Sequence, residues 1–428
     1  MGCCCSSGTV SQPIILPEPP GPFGVGCADL MTNATSDDTG LFLRFYYPTE
    51  KFAIAENTAE LTPWRLQPAA KYEEGFIRII YRGMAWLYRL IFGCCKNKDY
   101  FIPAIWHAPL VAAGGPFRVV VFSHGYSGQR ASYSVYCSHL ASYGFLVTAI
   151  EHRIYGLHRA GDTGWTYTMT ANGRIEEIWG YKHAPKVPAW KNQRKMPVFL
   201  KLVPVSTAVR KFALNWNSFQ MNYRVMECSK TLALLTDLST AKGCFDVEIG
   251  SNMHRCIVLG QDFNWMQFKG RISTSDACLA GHSFGGATSC ISMKNPQFSH
   301  FLHFDPSMLV VDHVPDIYSQ MAKNSPTKAL FFIQDKQKER HEQLKLSLMQ
   351  KAAQAAGAAT VLRIVRSRHH DYCDAPYFWL ALRPSSAIAM NTMQAIMDEL
   401  SVAFFNDDQH SFNSLLNKYR QHIVRQTE

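Results

Sequence analysis

Residues 281–285 read Gly-His-Ser-Phe-Gly, which matches the G-x-S-x-G pattern of a nucleophilic serine held in a sharp turn. The apolar run from Ala277 to Ala280 precedes this pattern and predicts a buried strand, and the small residues after it predict a helix. In such a turn the hydroxyl of Ser283 points out of the sheet, and the two glycines let strand and helix pack closely. A purely structural turn is the alternative, but the flanking strand and helix favour a nucleophile.

A serine hydroxyl becomes a good nucleophile only beside a base, which is usually a histidine oriented by a carboxylate. For a serine in this kind of turn, the carboxylate and then the histidine follow along the chain. Asp305 ends the next predicted strand and His369 follows the last one, so both should reach the same sheet edge as Ser283. Asp305 has the alternative role of a cap before Pro306, and the neighbouring His370 is an alternative base. Lesser candidates for the carboxylate are Asp312, Asp316 and Asp335.

Ester cleavage through such a serine creates an oxyanion, which preorganised backbone N–H groups must meet. One N–H is predicted from Phe284, the residue after the serine. The other is predicted from Tyr126, because His124-Gly125-Tyr126 follows the strongly β-prone run Arg118–Ser123. The alternative is that Gly125 only permits a turn.

The elements that must position these residues alternate between strand and helix. Arg118–Ser123, a helix over Tyr133–Tyr143 and a strand over Phe145–Ile150 form a βαβ unit. This unit predicts an α/β fold with a mostly parallel central sheet and helices on both faces. The other predicted elements are strands Leu41–Tyr47, Phe301–Phe304, Lys328–Ile333 and Thr360–Val365 and helices Asn222–Leu238, Lys336–Ala356, Met390–Phe405 and Phe412–Val424.

Residues 153–225 interrupt this alternation and are predicted to be a basic, lid-like insertion. From Ile178 to Met226 the chain has no Asp or Glu but carries many Lys and Arg residues interleaved with tryptophans. Such a stretch suits a lipid headgroup surface. It would also suit nucleic acid, but no nucleic-acid-binding motif accompanies it, so we expect no such partner. A solvated basic loop is the remaining alternative.

The composition indicates a large folded domain. The chain has 428 residues, 47% of them hydrophobic, a formal net charge of +10 and 13 scattered cysteines. We therefore predict a tail and proline-rich linker over residues 1–20 and a single domain over residues 21–428.

The cysteine pattern and the lack of a signal peptide favour a cytoplasmic setting, and no apolar run of 18 residues predicts a spanning helix. His369-His370-Asp371 lacks the further spaced ligands of a metal site, so we expect no metal or organic cofactor.

Two features predict reversible attachment to a membrane. Gly2 with Ser6 fits the rule for N-myristoylation, and the adjacent cysteines could take palmitate. These lipid-anchor candidates are Gly2, Cys3, Cys4 and Cys5. The second feature is a predicted helix over Phe76–Phe92 with arginines opposite an apolar face, of which Met84, Leu87 and Ile91 are predicted to face the membrane. The alternatives are a disordered tail and an ordinary surface helix packed on the core.

Several blocks of the sequence resemble the platelet-activating-factor acetylhydrolases, and most of all their intracellular, myristoylated type II branch. These blocks are Gly21–Met31, Phe122–Gly125, Glu151–Arg153 and Gly281–Thr288. The resemblance implies an α/β-hydrolase fold, a membrane-docking helix at residues 76–92, and calcium-independent hydrolysis of short or oxidised sn-2 acyl esters of phospholipids. Its pattern of a histidine and an aspartate with four residues between them is matched by His369 and Asp374, which favours His369 over His370 as the base. The chain departs from the family in its basic region 178–204 and in Tyr126, where leucine is usual.

We therefore expect a 1-alkyl-2-acetylglycerophosphocholine esterase that acts on phospholipid at a membrane surface. A general carboxylesterase or a lipase for neutral lipids is the enzymatic alternative. A catalytically inactive, membrane-bound interaction protein is the alternative from another class, and the candidate residues Ser283, Asp305 and His369 argue against it.

Overall fold

The computed structural model describes residues 13–35, 38–53, 58–81, 99–153, 163–179, 207–240, 257–294, 297–335, 340–378 and 384–426. Within these residues a single 13-stranded sheet runs through the protein, beside a separate two-stranded ladder. The strands in chain order are β1 (Ile14–Ile15), β2 (Gly24–Thr32), β3 (Phe42–Thr49), β4 (Leu61–Pro63), β5 (Tyr100–Trp106), β6 (Phe117–Ser123), β7 (Phe145–Ile150), β8 (Trp165–Met169), β9 (Ile175–Trp179), β10 (Ile257–Leu259), β11 (Ile272–His282), β12 (His300–Phe304), β13 (Thr327–Ile333), β14 (Gly357–Ile364) and β15 (Ile423–Arg425).

Eleven strands of the sheet follow the order β1-β5-β2-β3-β7-β6-β11-β12-β13-β14-β15, and the other two pair beside this path, β4 with β5 and β10 with β2. From β7 to β14 every neighbouring pair is parallel, whereas β2 and β3 pair antiparallel and β15 closes the far edge antiparallel to β14. Because parallel strands end at the same edge, β6, β11 and β12 deliver their last residues side by side: Gly281 pairs with Ser123, and His282 pairs with Phe304. The predicted parallel core is confirmed.

Helices cover both faces of this sheet, as predicted. They are α1 (Ala69–Tyr81), α2 (Ser134–Ser142), α3 (Thr207–Thr240), α4 (Phe284–Ser292), α5 (Met308–Val311), α6 (Ile317–Ala322), α7 (Arg340–Ala356), α8 (Ala375–Phe378), α9 (Met390–Phe405) and α10 (Gln409–Lys418). Strand β11 shows how the two faces are built, because its successive side chains alternate between them. Ala277 and Leu279 join the apolar cluster that includes α3, α4 and α7, whereas Cys278 and Ala280 join the cluster that includes α2 and α9.

The region predicted as a basic insertion contains more regular structure than we predicted. Strands β8 and β9 form an antiparallel hairpin around Asn172-Gly173, and Trp165 of this hairpin packs edge-on against Tyr72 of α1. Helix α3 begins at Thr207, not at the predicted Asn222, and ends at Thr240. Residues 180–206 lie outside the described part of the chain.

The two ends of the described chain differ from prediction. Ile14 and Ile15, placed in the predicted linker, pair in parallel with β5, and Leu16 is buried, so the ordered sheet begins before residue 21. The helix predicted over Phe412–Val424 begins earlier, because Asp408 caps it by accepting a hydrogen bond from the Ser411 N–H at 2.9 Å. It ends at Lys418, and Ile423–Arg425 forms a strand instead.

Helix α1 starts at Ala69, seven residues before the predicted Phe76, and is described as far as Tyr81. The predicted membrane-facing residues Met84, Leu87 and Ile91 lie outside the described residues, as do Gly2, Cys3, Cys4 and Cys5. Among the residues that the structure does describe, none forms a helix long and apolar enough to cross a membrane.

Candidate active site

Ser283 lies in a strained turn between β11 and α4, as the G-x-S-x-G pattern predicts. Its backbone has φ of 56° and ψ of −112°, a region that a residue with a side chain rarely adopts. The flanking glycines are required by the close packing. A Cβ atom at Gly281 would lie 2.3 Å from the Gly285 carbonyl oxygen, and one at Gly285 would lie 1.9 Å from the Ser123 carbonyl oxygen.

The structure brings Ser283, His369 and Asp305 into one hydrogen-bonded chain. Nε2 of His369 lies 2.9 Å from Oγ of Ser283, and Nδ1 of His369 bonds Oδ2 of Asp305. Because a carboxylate only accepts, Nδ1 carries the proton and Nε2 presents a lone pair to the serine hydroxyl. This is the tautomer in which the imidazole can take the serine proton.

Backbone contacts fix the serine turn to the segment that carries Asp305. The Ser283 N–H donates to the Phe304 carbonyl at 2.9 Å, and the Ser307 N–H donates to the Ser283 carbonyl at 2.9 Å. Asp305 follows β12 directly and has a positive φ of 42°. The Asp305 carboxylate is fully buried and Ser283 is nearly so, so the distance between serine and carboxylate depends on packed backbone and not on mobile side chains.

Lys345 is a site residue that the sequence analysis missed. Its Nζ lies 2.6 Å from Oδ1 of Asp305, so each carboxylate oxygen of Asp305 has a cationic or N–H partner. The backbone N–H of Gln334 also donates to Oδ1 at 3.3 Å. Burial alone would raise the pKa of Asp305, but the Lys345 charge and the hydrogen bond from His369 outweigh it and hold that pKa well below its ordinary value. Asp305 is therefore ionised at neutral pH.

His370 is not part of this chain of hydrogen bonds. Its ring centre lies 5.5 Å from that of His369, and no bond from it to Ser283 or Asp305 is present among the described residues. Burial lowers the pKa of His370, and the neighbouring His369 lowers it further. The geometry thus favours His369 over His370 as the partner of the serine, which agrees with the expectation from the family pattern.

The predicted oxyanion residues lie beside the serine. Phe284 is the first residue of α4, where a helix leaves its N–H groups without intrahelical partners. We name residues 124–128, after β6, the oxyanion loop. A Cβ atom at Gly125 in this loop would lie only 3.3 Å from Cβ of Ser283, and the Tyr126 ring meets the Phe284 ring edge-on with centres 6.1 Å apart.

Tyr133 joins the oxyanion loop to the serine turn. Its hydroxyl accepts the Gly125 N–H at 3.0 Å and lies 2.8 Å from Nδ1 of His282. The Tyr133 hydroxyl therefore links the Gly125 N–H to the His282 ring. Burial, together with the neighbouring His369, keeps the pKa of His282 well below its ordinary value, so this ring is neutral.

Asp374, the second member of the histidine–aspartate pattern, does not touch the serine. Its carboxylate instead accepts the first backbone N–H groups of α2, from Ser134 at 2.8 Å and from Val135 at 3.2 Å. The Ser134 hydroxyl and the Trp64 indole N–H, the latter at 3.0 Å, also donate to it. Asp374 therefore ties the segment after His369 to the helix that follows the oxyanion loop.

The other candidate residues do not gather into a ligand site. Asp312, Asp316 and Asp335 make no contact with His369, and Asp335 pairs with Arg363 at 2.9 Å. Within the described ranges no group of three or more His, Cys, Asp or Glu side chains is placed to hold a metal ion.

The parallel sheet, the strained serine turn after β11 and the order serine, aspartate, histidine define an α/β hydrolase. The fold agrees with that of a solved structure titled "Ferulic acid esterase from Streptomyces cinnamoneus", with a TM-score of 0.53 at 15% identity over 92% of each chain. At that identity the likeness concerns the fold alone.

Comparison of sequences narrows this class to one family. The profile described as "Platelet-activating factor acetylhydrolase, isoform II" matches residues 8–420, and the chain belongs to this family. Curated relatives named platelet-activating factor acetylhydrolase occur in Cavia porcellus (27% identity, 84% of this chain and 69% of the relative), Gallus gallus (29%, 71% and 63%) and Canis lupus familiaris (29%, 84% and 68%). The predicted family and fold class are thereby confirmed.

Proposed function

We propose that this protein hydrolyses the short or oxidised sn-2 acyl ester of phospholipids such as platelet-activating factor, with Ser283, His369 and Asp305 as its catalytic triad. The observation that carries the proposal is the hydrogen-bonded chain from Ser283 through His369 to the buried Asp305 in a member of this hydrolase family. In the reaction, His369 takes the proton of Ser283 as the serine oxygen attacks the acyl carbonyl.

The tetrahedral intermediate then carries a negative charge on the former carbonyl oxygen. The N–H groups of Phe284 and Tyr126 are the proposed donors to it, and each such donor is worth roughly 100- to 1,000-fold in rate. His369 next gives its proton to the departing lysophospholipid oxygen, which leaves the acyl group on Ser283. A water molecule activated by the same imidazole releases the acid, for example acetate, and restores the serine.

Calcium has no role in the proposed reaction, because hydrogen bonds from backbone N–H groups stabilise the oxyanion. The decisive experiment measures acetate release from platelet-activating factor, in parallel with a long-chain phosphatidylcholine and a short-chain p-nitrophenyl ester, with and without a chelator. We expect the first substrate to be favoured over the second and the chelator to have no effect. Ser283→Ala should abolish turnover, since loss of a triad member costs roughly a millionfold, while the fold is retained.

Each alternative predicts a different outcome. A general carboxylesterase would cleave the p-nitrophenyl ester and leave both phospholipids intact. A neutral-lipid lipase would prefer long acyl chains, and a membrane-bound interaction protein would fail to react with a fluorophosphonate probe at Ser283. A strict requirement for calcium would contradict the proposed mechanism.

We further propose that the protein is cytoplasmic and binds membranes reversibly. The support is in the sequence: Gly2 and the cysteines after it for acylation, and the apolar face of the predicted helix over residues 76–92. One acyl chain gives only marginal binding, so two attachments acting together would hold the enzyme at its lipid substrate.

A further inference from the structure

The carbonyl oxygen of Gly125, in the oxyanion loop, accepts hydrogen bonds from two sides. Nδ1 of the His124 ring lies 2.7 Å from it, and the Gly128 N–H donates to it at 3.0 Å. The carbonyl of one residue and the N–H of the next belong to the same planar trans peptide and point in opposite directions. A fixed Gly125 carbonyl therefore fixes the direction of the Tyr126 N–H.

The contact between His124 and Gly125 determines where the ring proton lies. A carbonyl oxygen and a bare ring nitrogen would repel at 2.7 Å, so Nδ1 carries the proton and donates it. The other ring nitrogen, Nε2, is then free to accept the His152 N–H at 3.3 Å. Burial keeps the pKa of His124 well below its ordinary value, helped by the Arg224 charge, so the ring holds a single proton.

Arg224 of helix α3 holds the preceding peptide of the loop. Its Nη1 donates to the His124 carbonyl oxygen, and its guanidinium lies 4.9 Å from the centre of the Phe284 ring. Nη2 of Arg224 is also 3.3 Å from Nδ1 of His124, but both atoms bear protons, so the shorter contact to Gly125 decides the tautomer. Arg224 is fully buried, so its guanidinium is not free to leave this position.

A second buried series of hydrogen bonds supports the end of β6, just before the oxyanion loop. Nδ1 of His152 lies 2.7 Å from Oε2 of Glu227, and Nε2 lies 2.8 Å from Oγ of Ser123, the last residue of β6. Because a carboxylate only accepts, Nδ1 of His152 carries the proton and Nε2 accepts the Ser123 hydroxyl. Glu227 and Arg224 are three residues apart and so lie on one face of α3. Helix α3 is thus hydrogen-bonded to the first residue of the oxyanion loop through Arg224 and, through His152, to the strand end just before it.

We propose that His124 is a positioning residue whose Nδ1–H group orients the Gly125–Tyr126 peptide, so that the Tyr126 N–H is aimed at the oxyanion. This inference rests on the proposed function. Both ring nitrogens of His124 are engaged by backbone groups, Nδ1 by the Gly125 carbonyl and Nε2 by the His152 N–H, so the ring is not assigned a proton transfer. Without the Nδ1 bond only the Gly128 N–H still holds the Gly125 carbonyl, and a peptide that rotates presents to the developing charge a repelling carbonyl oxygen in place of the N–H.

Two substitutions of His124 test the roles of its two ring nitrogens separately. In His124→Asn the side-chain amide nitrogen occupies the place of Nδ1 and can still donate to Gly125. In His124→Gln the amide lies at the place of Nε2, so the bond to His152 is kept and the bond to Gly125 is lost. Both variants would be assayed on a soluble short-chain p-nitrophenyl ester beside wild type and Ser283→Ala, with thermal unfolding measured for each.

We expect His124→Gln to lower kcat by about 100-fold, the cost of one lost oxyanion donor, with KM little changed because the donor acts in the transition state. His124→Asn should keep kcat within about tenfold of wild type, because a neutral donor remains. Equal kcat values for the two variants, whether both high or both low, would overturn the inference if both are folded.

If neither variant folds, His124→Phe gives the second measurement, since its ring has a shape close to that of imidazole but no N–H group for the Gly125 carbonyl. A fall in kcat with little change in KM supports the inference, and an unchanged kcat overturns it. Failure of the proposed catalytic triad is distinguished by the controls, because wild type would then be no faster than Ser283→Ala on the soluble ester.

Discussion

Asp305 is bonded to both His369 and Lys345, so the exchange Asp305→Asn should damage activity and stability by separate routes. The amide of asparagine can donate to Nδ1 of His369, which favours the tautomer with its proton on Nε2, the wrong side for accepting the serine proton. In a triad this error lowers kcat by about 10,000-fold. The fold around Ser283 should stay intact, because the two side chains have nearly the same shape.

The loss of stability follows from Lys345. The Lys345 side chain is 9% exposed and the Asp305 side chain is fully buried, with 2.6 Å between Nζ and Oδ1. Removing one partner of a buried ion pair leaves the other charge without compensation and costs about 3–5 kcal/mol. We therefore expect Asp305→Asn to lower the free energy of unfolding by about that amount, in addition to its effect on turnover.

The double variant Asp305→Asn/Lys345→Met separates the two effects. Methionine fills the space of lysine without a charge, so the double variant should recover most of the lost stability, a coupling of about 3 kcal/mol. It should recover no activity, because the imidazole tautomer is still wrong. Urea unfolding followed by tryptophan fluorescence, together with ester hydrolysis, measures both quantities.

Two results would refute this reasoning. If Asp305→Asn is within about 1 kcal/mol of wild type, the pair contributes no more than an exposed salt bridge. If the double variant is no more stable than Asp305→Asn, an uncompensated lysine charge is not the cause of the loss.

Three further predictions follow from the site and from the sequence. His369→Ala should lose as much turnover as Ser283→Ala, whereas His370→Ala should keep most activity, and steady-state kinetics measures both. The reverse result would identify His370 as the base. The folded pKa of Asp305 is depressed, so its contribution to stability is fully present above the unfolded pKa of about 3.9 and is lost as the pH falls through the folded value. Unfolding titrations below pH 4 should therefore show a shallower decline for Asp305→Asn than for wild type, and identical slopes would contradict the shift. Gly2→Ala should move the protein towards the cytosol in cell fractionation without changing hydrolysis of a soluble ester, and an unchanged distribution would show that this anchor is unused.

The sequence was sufficient to predict the three residues of the hydrogen-bonded chain because their positions follow from the order of parallel strands, and the family pattern decided between His369 and His370. Ser283, Asp305 and His369 each come just after a strand end, and parallel strands bring such ends to one edge. The identity of the residue beside the nucleophile, Phe284, follows from the motif itself. These predictions needed no knowledge of side-chain contacts.

The residues that support the site could not be predicted in this way. Lys345 is 40 residues from Asp305, and Glu227 is 75 residues from His152. Each lies within a helix, where the sequence pattern gives the buried face but not the partner. Glu227 lies in the helix predicted over Asn222–Leu238, just after the predicted insertion.

The hairpin β8–β9 did have a signal in the sequence. Its first strand alternates Trp165-Thr-Tyr-Thr-Met, and Asn172-Gly173 in the connection is typical of hairpin turns. Strand Ile14–Ile15 could not be predicted for a different reason, since the three residues between Pro13 and Pro17 are too few to show a period.

The bond network of Asp374 has a consequence for the motions of the protein. Its carboxylate closes the first turn of α2 through the amides of Ser134 and Val135, while its own chain segment carries His369. Departure of that segment would expose these two amides, so they should exchange hydrogen with solvent at the rate at which the segment opens. The segment that carries His369 and the first turn of α2 then open together as one cooperative unit. Slow amide exchange at the start of α2 would report that His369 is in place.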